Sequence, residues 1–203
     1  NETWLGAGRI TLNGEARDDV FLLAGADRTA PASSNGVITL AGDCHDDVWV
    51  LADRVEIGGR AAGHVRAAAR TVRVAGKVGK GALLMGSAVS LTPESHLAGT
   101  ARLIGENLVA EGCVEGRLTL LGNKVTLSGS FSNDVRVTAQ DVVVLPGTRI
   151  GGDLVYTAPS ELILDKGVSL GGRLVRQPAP AAPANAWSSL FVKVWLGLAA
   201  LLA

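Results

Sequence analysis

Val55-Glu56-Ile57-Gly58-Gly59-Arg60-Ala61-Ala62-Gly63-His64-Val65-Arg66-Ala67 is followed seventeen residues later by Val72-Arg73-Val74-Ala75-Gly76-Lys77-Val78-Gly79-Lys80-Gly81-Ala82-Leu83-Leu84. Apolar residues recur at positions 1, 3, 7, 11 and 13 of each stretch, and glycine at position 5. The same beat begins at Ile38 and Val89, again 17 residues away on either side. It continues through Leu108, Val125, Val142 and Leu162 at steps of 19, 17, 17 and 20, and reaches back to Ile10. A second alternating run opens at Val20, Val48, Val65, Ala82, Ala101, Leu118, Val135, Leu154 and Leu174. Four residues before each second run stands a lone apolar residue: Ala16, Cys44, Ala61, Val78, Leu97, Val114, Phe131, Ile150 and Leu170.

Alternation with period two marks strands, not helices. Strands of three to five residues cannot bury their own faces. Stacked coil upon coil at about 4.8 Å, they bury one another's. The repeat predicts an all-β fold over residues 1–176. It is a three-sided parallel β-helix of about nine coils, roughly 43 Å long. Inward columns run from Ile10/Leu12 to Leu162/Leu164 on one side and from Val20/Leu22 to Leu154/Tyr156 and Leu174 on another. Gly14, Gly42, Gly59, Gly76, Gly112 and Gly129 all fall four residues after a first-run start. The second corner carries Asp18, Asp46, Gly63, Gly99, Gly116, Asn133, Gly152 and Gly172, with Lys80 breaking the pattern. Tolerance of positive φ is the expected reason for these residues.

Composition agrees with a thin, regular body. Hydrophobic residues make up 47% and charged residues 19%, which excludes a disordered chain. Aromatics stand at 4%, and the 26 glycines are nearly twice the ordinary ~7% usage. Nineteen basic side chains balance nineteen acidic ones, which speaks against nucleic-acid binding through phosphate contacts. Cys44 and Cys113 would lie four coils apart, roughly 19 Å, beyond disulfide reach. Both are expected to be reduced core fillers.

Motifs for chemistry are sparse. His45, Asp46, Asp47 and His64 gather on neighbouring coils, a possible surface metal site, but Gly81 ends the row. The expected reading is solvated corner residues and no metal. No aligned carboxylate pair and no phosphate-cradling Gly-Lys-Ser/Thr loop is present, so neither cofactor, small-molecule substrate nor catalysis is expected. A β-helical surface adhesin or carbohydrate-active enzyme is the alternative.

Contacts are the better lead. Phe21 and Trp49 are expected to project outward in the first coils, and Val143, Val155, Ile163 and Val175 in the last, as an exposed apolar contact patch. A solenoid's ends are open strand edges that must be capped or paired. Val20, Leu22, Leu162, Leu164 and Leu174 are the candidate self-assembly residues, as the ends of the inward columns.

The corners Asp46-Asp-Val-Trp-Val50, Ser132-Asn-Asp-Val-Arg-Val137 and Gly151-Gly-Asp-Leu-Val155 carry a resemblance. Residues 10 to about 176 resemble the bactofilins, the polymer-forming cytoskeletal family of bacteria. The resemblance implies a right-handed β-helix without catalytic residues. It also implies end-to-end assembly into homopolymeric filaments without nucleotide, often in association with a membrane. The chain departs from that family in its C-terminal part. Residues 177–186 form a Pro/Ala stretch expected to be a semi-rigid linker. Trp187 to Ala203 is apolar apart from Ser188, Ser189 and Lys193, and as a helix would be about 25 Å long. Trp187, Leu190, Phe191, Val194, Trp195 and Leu196 are its expected membrane-contacting residues, whether it lies in the interface or begins a spanning helix; the alternative is a helix packed back on the Val143, Val155, Ile163 and Val175 patch. The address expected is a bacterial membrane, its side left open by a chain that starts at Asn1 and could have lost a signal peptide.

Overall fold

The computed structural model describes residues 2–25 and 36–178. The inserted loop of the first coil, most of the linker and the whole apolar segment 187–203 lie outside the described residues. The rest is a parallel β-solenoid of about 10 turns.

The turns build three stacks of strands. The longest stack takes the second apolar runs: β1 (Thr3–Ala7), β4 (Val20–Ala24), β7 (Val48–Leu51), β10 (Val65–Ala68), β13 (Ala82–Leu91), β15 (Ala101–Ala110), β17 (Leu118–Leu121), β20 (Val135–Thr138), β23 (Leu154–Thr157) and β25 (Leu174–Arg176). The first runs give β2 (Arg9–Leu12), β5 (Val37–Leu40), β8 (Arg54–Ile57), β11 (Thr71–Val74), β18 (Lys124–Leu127) and β21 (Asp141–Val144). β13 and β15 are ten residues long and bend through a corner, joining these two stacks into one 16-stranded sheet. The lone apolar residues sit in two-residue strands from β3 (Glu15–Ala16) to β24 (Ser169–Leu170), a separate nine-stranded sheet.

Register follows the repeat. Val48 pairs with Val20 and Val65, and Val65 with Ala82. Val55 pairs with Ile38 and Val72. The inward columns form one continuous core; Val55, Val72, Leu103, Leu120 and Val137 are fully buried. Two of the enlarged corners become β-turns with proline second: Ser95 N–H donates to the Thr92 carbonyl at 2.9 Å, and Thr148 N–H to Leu145 at 3.3 Å. The hydroxyls of Ser95 and Thr148 bond the same carbonyls, whereas the buried Thr92 hydroxyl has no hydrogen-bond partner among the described residues.

Three expectations need correction. First, the turn count rises from about nine to about 10, because Thr3–Ala7 forms β1 ahead of the first predicted run. It pairs Thr3 with Val20 and Leu5 with Leu22. Val20 and Leu22 are therefore buried beneath β1 and are not column ends.

Second, no strand forms at Leu162–Leu164. The Leu162 amide donates to the Tyr156 hydroxyl at 3.2 Å instead of a β21 carbonyl. Arg176 donates to the carbonyls of Ala158 and Pro159 at 3.1 and 2.6 Å. The segment is thus held by side chains, with Leu162 buried, Leu164 half-buried and Ile163 87% exposed.

Third, the corner glycines do not need positive φ. Among the described residues only Gly36 and Gly147 have it. The repeated glycines are required by contact: a Cβ on Gly42, Gly59 or Gly76 would run into the carbonyl oxygen of the glycine one coil before. At these positions the preceding coil's backbone leaves no room for a Cβ, so glycine is required.

Candidate functional site

The two ends of the solenoid differ. At the N-terminal end β1 is exposed along its length, with Trp4 at 68% and Leu5 at 40%. No described residue pairs with its outer edge. Trp4 opens an outward stack: its ring lies 4.2 Å from Phe21 at 7°, and Phe21 lies 6.0 Å from Trp49 at 15°. Arg66 closes the stack, its guanidinium 4.4 Å from the Trp49 ring centre. At the C-terminal end Leu174 is exposed, but Arg176 takes the column position that Tyr156 fills one coil earlier. Its bonds to Ala158 and Pro159 place a guanidinium over the core there.

The expected contact patch divides between faces. Phe21, Trp49, Val155 and Val175 share one outward column of the long stack, at its two ends. Val143 belongs to the other side of the sheet, and Ile163 to the strandless segment. Phe21, Val155 and Val175 are half-buried; Trp49 and Val143 are exposed.

The Asp/His corner has a structural explanation. Carboxylates at the entry to the second runs accept the backbone N–H at the same register of the next coil: Asp19 from Asp47, Asp47 from His64, Asp134 from Asp153 and Asp153 from Arg173. These are coil-to-coil latches, which explains why Asp precedes Val or Leu at these corners. Asp47 also faces His64 Nδ1 at 3.1 Å and Arg66 at 3.0 Å, so its oxygens are taken. Among the described residues no three His, Cys, Asp or Glu side chains come together as a metal-ligand set.

Burial pushes the Asp47 carboxyl up, but the His64 N–H, the Arg66 guanidinium and the His64 ring outweigh this. Together they lower it from the ordinary 3.8 to about 2. Its folded-state pKa lies below its unfolded one, so its contribution is complete above about pH 5 and disappears as pH falls through about 4 to 2. Asp47→Asn should cost about 2 kcal/mol at neutral pH and almost nothing at pH 2. Denaturant midpoints at the two pH values check this; equal losses at both would contradict it.

The cysteines separate. Cys44 is buried, and burial with the charge of Asp43 pushes its thiol up to about 11, leaving it an unreactive core filler. Cys113 is not a core residue: it is half-buried in an outward row between His96 and Ser130.

Comparison of the chain with protein-family models, with curated proteins and with solved structures finds no match.

Proposed function

We propose that the protein is a non-enzymatic structural scaffold that assembles end to end into nucleotide-independent filaments at a bacterial membrane. The bactofilin resemblance supports this reading, as does the parallel β-solenoid fold. The observation that carries it is the exposed strand β1, whose parallel ladder stops with Trp4 and Leu5 exposed and no described strand on its outer edge. A partner coil laid on that edge continues the hydrogen-bond ladder and removes the two side chains from water.

Substitutions at exposed end positions test this without disturbing the core. Leu5→Asp and Leu174→Asp, at 40% and 39% exposure, should leave folded, short particles where the unmodified chain gives filaments. Full-length filaments from both variants would rule out end stacking. Val20→Asp is unsuitable, because it buries a carboxylate at a fully covered site.

Membrane attachment is assigned to residues 187–203, outside the described residues; no described helix is long and apolar enough to cross a membrane. The intact chain should float with neutral phosphatidylcholine vesicles and a chain ending at residue 186 should not. Equal flotation of the two would count against this anchor.

A further inference from the structure

The geometry points to a second, independent membrane contact: the outward face of the long stack lies flat on an anionic lipid surface. Two outward columns cover this face. One reads Trp4, Phe21, Trp49, Arg66, Leu83, Arg102, then Thr119, Arg136, Val155 and Val175. The other, two residues further along each strand, carries Leu23, Leu51, Ala68, Met85, Ile104 and Leu121 on successive coils. These six are exposed or half-buried and form an apolar stripe about 24 Å long.

The only charges in the two columns are Arg66, Arg102 and Arg136. The arginines recur every second coil, about 10 Å apart. Of these three, Arg66 is paired with Asp47, and Arg102 and Arg136 have no acidic partner among the described residues. Beside them a shallow depression of about 580 Å³ is lined by His64, Arg66, Lys80, Thr100 and Arg102. Lys80 is the residue that broke the Gly/Asp/Asn pattern of the second corner, and here it adds a cation where the other coils turn. The other faces differ: their outward rows mix Thr39, Glu56, Arg73 and Ser90, or Asp43, Arg60 and Lys77.

An apolar stripe flanked by unpaired cations, with indole rings at one end, suits the boundary between acyl chains and anionic headgroups. A second copy of the same face is a poorer partner, because its two columns bring more arginines and no acid. The inference extends the membrane reading but does not depend on residues 187–203.

The four tryptophans make the test direct. In a full-length Trp187→Phe/Trp195→Phe background the remaining indoles, Trp4 and Trp49, both report on this face. Brominated acyl chains in phosphatidylcholine–phosphatidylglycerol vesicles should quench them, and neutral brominated vesicles far less. Raising salt from ~0.1 M to ~1 M, which shortens the screening length from ~10 to ~3 Å, should abolish the effect. Arg102→Gln/Arg136→Gln alters two unpaired surface residues and should weaken anionic-vesicle binding about 25-fold, at about fivefold per arginine.

Flotation of the chain without quenching would overturn this inference while sparing the tail anchor. Quenching untouched by the double substitution would overturn it too. Protection of Trp49 in a lipid-free dimer would give the face to a second copy instead. Failure to float with any vesicle would sink both membrane assignments.

Discussion

Gly76→Ala should destabilise the solenoid by about 4 kcal/mol or more, the range of exceptional single substitutions. An added Cβ would run into the Gly59 carbonyl oxygen, with the Gly58 carbon and oxygen at 2.8 and 2.9 Å. All three obstacles are backbone. They cannot yield, because Gly76 N–H donates to Ile57 at 2.9 Å and Lys77 N–H to Gly59 at 3.0 Å. Gly14 supplies the control. It occupies the same corner at the start of the stack, has no atom within 4 Å of its virtual Cβ, and lacks positive φ. Gly14→Ala should be neutral or stabilising by up to ~1 kcal/mol through the unfolded chain. Urea midpoints decide it; similar losses at the two sites would show that coil contact is not what demands glycine.

Phe131→Ala should cost about 3–5 kcal/mol. Phe131 is 1% exposed and stacks between Val114 and Ile150 in the nine-stranded sheet. Main-chain ladders hold its neighbouring coils at strand spacing, so the vacated volume cannot collapse. Trp49→Ala removes a larger side chain yet should cost only about 1 kcal/mol, since Trp49 is 42% exposed and loses little more than its stacking on Phe21 and Arg66. If Trp49 proves the costlier truncation, the inward and outward assignments are reversed.

The repeat and its register were legible because side-chain period and coil length are both properties of the chain itself. Val48, Val65 and Ala82 could be aligned by counting. What failed to show acts between distant residues. Leu162-Ile163-Leu164 has the alternation of a strand, but Tyr156 and Arg176 take up the polar groups around it. Composition reveals that glycine recurs at Gly42, Gly59 and Gly76, not whether φ or contact requires it. β1 escaped notice because Thr3-Trp4-Leu5-Gly6-Ala7 lacks the Val/Leu run and corner of the later coils.

At the candidate surfaces the exposure of Trp49 and the placement of Val143 and Val155 on different sides were readable from alternation, whereas the absence of a strand at Ile163 was not. The apolar stripe did leave a signal. In Val48-Trp-Val-Leu51, Ala82-Leu-Leu-Met85, Ala101-Arg-Leu-Ile104 and Leu118-Thr-Leu-Leu121 the fourth residue is apolar although alternation makes it outward. Soluble strands usually place a polar residue there.

Assembly is the claim on which the scaffold reading stands. It is tested most directly by sedimentation of the unmodified chain over a wide concentration range, with negative-stain images of the same samples. End stacking predicts particles that lengthen with concentration into unbranched filaments with an axial repeat of roughly 48 Å, ten strands at strand spacing. A single species with a constant sedimentation coefficient and no filaments in the images would contradict it.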